Sequence, residues 1–275
     1  MLIWLVLIPL IAAALIGLCK APARPTALLS ASLTLALGIW ALVSFDGCSS
    51  CWSRFEGMDL QLTLAPALSK VMLLLTILVT FATVLGTNPP QGGEASWYNS
   101  ALLISAGATG AFLSDNIISF FAFHELALIP TFVMIGLYGR GDRRTTAWRA
   151  TLYLGLASMV LLAALLMIGT QAGFTFSGLK DFMASGRELA HAELIGALLI
   201  AGFGTLISLF PFHSWAAPAY ASAPAPVAMM HAGVLKKFGL YGLFMFQPLM
   251  ETGFLPWTNI LLVLLVCNVI WVGYV

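Results

Sequence analysis

The sequence predicts an all-α polytopic membrane protein, and three observations carry that prediction. The first is composition: of 275 residues, 60% are hydrophobic and 8% are charged, with a mean hydropathy of +0.98. A soluble domain is roughly 25% charged, and a water-soluble globule of this length could not hide so much apolar surface. The second is distribution. The apolar residues fall into about nine long stretches, not the alternating segments of about ten residues that a membrane barrel shows. The third is that basic residues gather in alternate loops, as the positive-inside rule expects of a multi-span chain. The same numbers exclude an ordinary soluble enzyme, a disordered chain and a disulfide-dense secreted domain. A net charge of +1 and a pI of about 7.7 leave no field to attract polyanions, so no nucleic-acid partner is expected.

A helix crossing the hydrocarbon needs about 20 mostly apolar residues. Stretches of that kind cover residues 1–19, 26–45, 68–85, 98–114, 117–138, 150–170, 192–210, 224–246 and 255–275. The first is a span and not a signal peptide, because no basic residue precedes its apolar run while Lys20 and Arg24 follow it. Between the second and third lies a loop, residues 46–67, that carries Cys48 and Cys51 as C-x-x-C. With no second C-x-x-C and no nearby His, two readings stand: a local disulfide or two idle thiols. Cys19 and Cys267 lie in apolar sequence and are expected to pack. The fifth span contains Pro130, which should kink it near Leu126. After the sixth, Phe174, Phe176, Leu179, Phe182 and Met183 suggest a short amphipathic helix at the interface. The seventh span breaks at FPFHSW, residues 210–215, and more Pro follows at 218, 224 and 226. Proline at this density cannot sit inside one helix. Non-helical backbone at membrane depth is tolerated only against protein or water.

Lys20, Arg24, Arg140, Arg143, Arg144 and Arg149 share one face. Arg54, Lys70, Lys180 and Arg187 on the other are diluted by Asp46, Glu56, Asp59, Asp181 and Glu188. The Arg-rich face is expected in the cytoplasm of a bacterial inner (cell) membrane protein, which puts the N-terminus outside. No soluble domain, nucleotide fingerprint, phosphate loop or His pair at helical spacing is visible, so no cofactor or metal site is expected. The chain divides into residues 1–97, three helices and the outer loop; 98–248, five helices; and 249–275, the start of a further set.

Among 12 basic and 11 acidic residues, three lie deep in apolar sequence: Glu125, Lys236 and Lys237. A charge at the bilayer centre costs on the order of 2.5–3.5 kcal/mol, so such residues face a bundle interior or internal water and are functional candidates. Glu125 is about 12 Å along its helix at 1.5 Å per residue. Carboxylate and ammonium groups held out of water can load and release protons. His124 points about 100° away from Glu125 on an α-helix and is either functional or structural. Lys236 and Lys237 are likewise about 100° apart, so one path is not expected to hold both. His231 lies five residues before Lys236 and reads either as a relay or as a cap on a polar cluster. His213, inside the break, reads either as functional or as an interfacial corner residue. Glu125, Lys237, Lys236, His231 and His213 are thus the candidate proton-relay residues.

Two of these segments carry a specific resemblance. SDNIISFFAFHELALIPTFVMIGLYG, residues 114–139, resembles the fifth helix of the antiporter-like membrane subunits of respiratory complex I. PFHSWAAPAYASAPAPVAMMHAGVLKKFGLYG, residues 211–242, is similar to the broken seventh helix, loop and eighth helix of the same group. Among its members the M-type chain (mitochondrial subunit 4) fits best, over about residues 60–275. The resemblance implies an antiporter-like fold and a proton-translocating subunit of NADH:quinone oxidoreductase, with redox cofactors in partner subunits and none here. Its partners would be the other membrane and peripheral subunits of complex I. The alternatives are a cation/proton antiporter or membrane-hydrogenase subunit of the same fold, or a non-conducting structural subunit. In the family a Glu on the fifth helix pairs with a Lys on the seventh, and a Lys on the eighth passes protons on. Glu125 matches the first and Lys237 the third. The second position holds Leu206, and Lys236 is offered as a substitute partner for Glu125. Where relatives carry Leu-Pro-Asp-Ala-His, this chain has Ala216-Ala217-Pro218-Ala219-Tyr220. Relatives also carry a second, inverted repeat, which is missing here. The expectation is an N-terminal part of a longer protein, or else a shortened subunit completed by a partner.

Overall fold

The computed structural model describes residues 1–44, 49–55, 58–89, 92–250 and 257–274. The chain is a helical bundle with one small ribbon. In order it forms α1 (Leu2–Gly17), α2 (Ala23–Ser44), β1 (Ser49–Phe55), β2 (Met58–Thr63), α3 (Ala67–Gly86), α4 (Glu94–Leu113) and α5 (Ile117–Tyr138). There follow α6 (Arg143–Ala172), α7 (Phe176–Ala184), α8 (Ala192–Ile207), α9 (Ala216–Ser222) and α10 (Ala225–Met230). A π-helical turn, His231–Leu235, leads into α11 (Lys236–Met245), then α12 (Gln247–Met250) and α13 (Trp257–Tyr274).

Among the described residues, α2, α3, α5 and α6 are each long and apolar enough to cross a membrane alone. The apolar stretches of α1, α8 and α13 are shorter. α6 is 30 residues, about 45 Å at 1.5 Å per residue. It starts well before the expected position because Asp142 caps it, its side chain accepting from the Thr145 amide. α4 has the length, but its apolarity is diluted by Ser, Thr and Gly. Those small residues have a packing role, since every residue from Ile104 to Leu113 is buried and α4 lies between α1, α3 and α5. In a bundle without a hydrophobic force between helices, small residues let backbones approach closely.

The chain is all-α as expected, with one small addition in the outer loop. The outer loop holds a two-stranded antiparallel ribbon, β1 with β2, paired from Ser49↔Thr63 to Phe55↔Met58 with a register shift between Cys51 and Ser53. Leu60 and Leu62 alternate with Asp59 and Gln61, the period of a strand. Cys48 lies outside the described residues, and so does the reading of its C-x-x-C. The expected packing of Cys19 needs correction: α1 ends at Gly17, so the thiol lies past the helix and is exposed.

Hydrogen bonds tie loops together at two faces of the bundle. On one face the Asp115 amide donates to the Gln61 carbonyl (2.9 Å) and Ile117 to that of Phe174 (2.8 Å). On the other, the Arg140 amide donates to the Ser222 carbonyl (2.7 Å) and the Tyr138 hydroxyl to that of Gly93 (2.6 Å). α7 turns Phe176, Leu179 and Phe182 into the protein core, which anchors it on the bundle.

α8 leaves the helical path at Ser208, three residues before Pro211, with Ser208 in the left-handed region at φ 62°. The amides of Ser208 and Leu209 turn back onto the Thr205 and Gly204 carbonyls, which closes the helix end. α5, by contrast, runs through Pro130 as one helix.

Candidate functional site

The site begins on α5. Asn116 fixes the helix start by accepting hydrogen bonds from the Ile118 (2.9 Å) and Ser119 (3.0 Å) amides. Two turns later Glu125 meets Ser158 of α6, a fully buried residue whose hydroxyl donates to Glu125 Oε1. His124 Nδ1 lies 3.2 Å from the same oxygen, an ionic contact when the imidazole is protonated. The roughly 100° between these neighbours therefore does not part them; their side chains converge. His124 is 1% exposed and sets its edge against Phe238, at 5.0 Å. Glu125 is 29% exposed and lies on the wall of a cavity of about 230 Å³ between α5 and α6.

The far wall of that cavity is His231. His231 also lines a second, narrow cavity of about 10 Å³, with His124, Leu206 and Lys236, room for about one water. Leu128, Leu154 and His231 border both cavities. Two apolar side chains and one imidazole thus separate the space beside Glu125 from the space beside Lys236.

The π-turn explains how His231 and Lys236 share a cavity. Residues five apart on an α-helix point about 140° from each other. A turn closed by i→i+5 bonding brings them to one side, and the Lys236 amide does donate to the His231 carbonyl. The break after α8 supplies the remaining walls. Trp215 Nε1 donates to the Thr205 carbonyl (3.0 Å), which pins the corner against α8. Trp215 and Tyr220 each lie 5.7 Å from the His231 ring. Lys236 Nζ stands 4.8 Å over the Tyr220 ring and 5.9 Å from that of Trp215, a cation–π arrangement. Both ring nitrogens of His231 and the Tyr220 hydroxyl are buried without hydrogen-bond partners among the described residues. Buried polar groups of this kind normally take a partner.

Of the five sequence-selected residues, Glu125, His231 and Lys236 come together. Lys236 forms no ion pair with Glu125 among the described residues, so the expected pairing of the two is not made by direct contact; His231 lies between them. Lys237 is half-buried, lines neither cavity and has no hydrogen-bond or ion-pair partner among the described residues. His213 stacks on Phe210 (5.6 Å) and faces Trp271 of α13 (6.3 Å), away from the cluster. Ser158, Trp215 and Tyr220 also belong to this cluster, though none carries a charge that marks it in the sequence. The one signal for Tyr220 was its place at the position where the resembled pattern ends in His.

Leu206 is 4% exposed and lines the narrow cavity, which already holds one Lys. Leu206→Lys is therefore expected to fail by itself. A second ammonium there meets like charge without water enough to screen it, a cost of about 2.5–3.5 kcal/mol. Recovery of folded protein from membranes should fall at least tenfold, and adding Lys236→Leu should restore it. Equal recovery of the single and double variants would show that the two positions do not share a space.

Residues 114–274 match the family described as NADH:quinone oxidoreductase/Mrp antiporter, TM. The chain is 32% identical over 211 residues to an NAD(P)H-quinone oxidoreductase chain 4 of Microcystis aeruginosa, covering 74% of this chain and 37% of that protein. It is 30% identical over 227 residues to a chain 4 of Picosynechococcus, covering 80% and 41%. The chain thus spans about two fifths of the length of these curated relatives. Among solved structures it is similar to a chain of respiratory complex I from Thermus thermophilus with bound NADH. The TM-score is 0.78 at 25% identity, over 90% of this chain and 53% of that one. A chain of the Mrp complex from Dietzia shares the fold, with a TM-score of 0.79 at 23% identity over 94% of this chain and 29% of that one. The match over more than half of its length establishes that this chain belongs to the NADH:quinone oxidoreductase/Mrp antiporter family of membrane proteins.

Proposed function

We propose that this chain is a proton-translocating membrane subunit of an NADH:quinone oxidoreductase, coupled to electron transfer in partner subunits. In this reading it lies in the bacterial inner membrane, with its N-terminus outside and about nine spans. The observation that carries the reading is a pair of cavities meeting at His231, one lined by Glu125 and the other by Lys236. A proton held on Glu125 is passed through water to His231, whose unpaired ring nitrogens can accept on one side and donate on the other. Lys236 receives it across the narrow cavity. Lys237, one residue on and turned about 100° away, carries it to the next group in the membrane. His124 and Ser158 hold the Glu125 carboxylate at the start of the route. Chain 4 of NAD(P)H-quinone oxidoreductase, the description of the relatives, supports the oxidoreductase over other complexes of the fold. The fold likeness to the Mrp complex keeps one second reading, a cation/proton antiporter subunit. The subunits that co-purify with the chain distinguish the two.

The test is proton uptake by inverted membrane vesicles energised with NADH. Lys236→Ala and Lys237→Ala should each lower the uptake rate by about tenfold or more, in keeping with loss of a proton-transfer group. Because the two act in series, the double variant should be no slower than the slower single. Unaltered uptake in Lys236→Ala, or losses that multiply in the double variant, would overturn the route.

A further inference from the structure

A second feature lies on the Arg-rich face, sharing the Phe132 and Ala147 side chains with the cavity beside Glu125 but none of the ionisable groups of the proton route. Where α5 ends and α6 begins, a groove of about 460 Å³ is lined by Phe132, Val133, Gly136, Leu137, Arg144 and Trp148. Phe132 and Trp148 form one wall, ring edge to ring face at 5.3 Å. Leu137 and Trp148 are 51% and 59% exposed, so the groove opens on the outer surface of the bundle. Its lining is apolar except for the guanidinium of Arg144, in the first turn of α6, and the indole nitrogen of Trp148.

Local charge chemistry leaves Arg144 free for a ligand. Asp142, the acid in this stretch, is engaged as the cap of α6, accepting from the Thr145 amide. Arg143 donates to the Leu137 carbonyl at 2.6 Å and so closes the end of α5. Arg144 is exposed, with no hydrogen bond or ion pair among the described residues. Arg140 and Arg149 flank it, so four Arg face a single Asp in this short segment. A guanidinium matches phosphate oxygens in a forked geometry. Trp favours the headgroup level of a bilayer, where its ring is half wet. Basic pockets between membrane helices take anionic headgroups.

We propose that this groove binds an anionic phospholipid, its phosphate on Arg144 and the upper part of one acyl chain against Phe132 and Trp148. Charge complementarity selects the headgroup, and the apolar depth of the groove selects a lipid over free phosphate. The protein in its natural complex, extracted in mild detergent, is exchanged into nanodiscs of phosphatidylcholine doped with phosphatidylglycerol. The lipid retained after a detergent wash is then read by native mass spectrometry. Phosphatidylglycerol should be enriched over phosphatidylcholine. Arg144→Gln should weaken that enrichment about fivefold, the effect of one basic residue near the surface. Trp148→Ala should shorten retention, whereas Arg24→Gln, on the same face but outside the groove, should change nothing. Inorganic phosphate at millimolar concentration should leave the lipid in place. Equal retention of both lipids, no effect of Arg144→Gln, displacement by phosphate alone, or a protein neighbour cross-linking at position 148 in place of lipid would each overturn the proposal. Proton uptake does not enter this test, so the groove and the proton route fail independently.

Discussion

In Glu125→Gln protein, NADH-driven proton uptake into inverted vesicles is expected to fall on the order of 10²-fold while the subunit still assembles. The size follows from removing a proton-transfer group, whose loss typically costs 10²–10⁴-fold. Assembly should persist because Gln has nearly the shape of Glu and keeps a carbonyl oxygen that can accept from Ser158, the bond that holds this side chain to α6. The substitution removes the exchangeable proton and the ionic contact with His124 at 3.2 Å. Neither is needed to fill the space. Assembly is checked by recovery of the intact complex, and transport by the proton-to-electron ratio at equal NADH oxidation. An unchanged ratio would mean that Glu125 only ties α5 to α6. The cavity beside it would then be a packing defect. Loss of the complex altogether would mean that the charge itself holds the helices.

What was legible in the sequence follows from what is expensive in a membrane. Glu125, Lys236 and His231 stood out because ionisable groups in apolar runs persist only where something inside the protein accepts them. The structure does bring those three around two adjoining cavities. Ser158 gave no such signal, since a hydroxyl in an apolar helix usually bonds back to its own carbonyls, as Thr76 and Thr131 do here. α-Helical angles predict which residues share a face, and the π-turn at His231–Leu235 departs from them. A π-turn has no composition of its own, so the meeting of His231 with Lys236 could not be drawn from spacing. His213 draws notice in the sequence by its place in the Pro-rich break. The chain reverses at Ser208 before reaching it and carries the imidazole to Trp271. The ribbon in the outer loop was written in the alternation around Leu60 and Leu62, yet a segment that short is ambiguous without a partner strand.

The second large effect concerns the contact that places Glu125. Gly107 on α4 faces α5 so closely that an added Cβ would lie 2.6 Å from the Phe123 carbonyl oxygen and 2.8 Å from the Ala127 nitrogen. Both are backbone atoms, so no rotamer change can relieve the overlap. Gly107→Ala must push α5 away from α4 or distort the turn that carries His124 and Glu125. Overpacking of this kind costs about 1–3 kcal/mol, which corresponds to a drop in Tm of roughly 2–12 °C for a chain of this size. Proton uptake should fall further than stability does. The Glu125 carboxylate and the Ser158 hydroxyl sit on different helices and separate when α5 moves. Gly86→Ala, at the end of α3 with nothing within 4 Å of the added atom, serves as the control and should leave both measurements unchanged. If Gly107→Ala melts and transports like the parent, α4 and α5 do not pack at backbone contact. The carboxylate would then lack the fixed position relative to His231 on which a defined proton route depends.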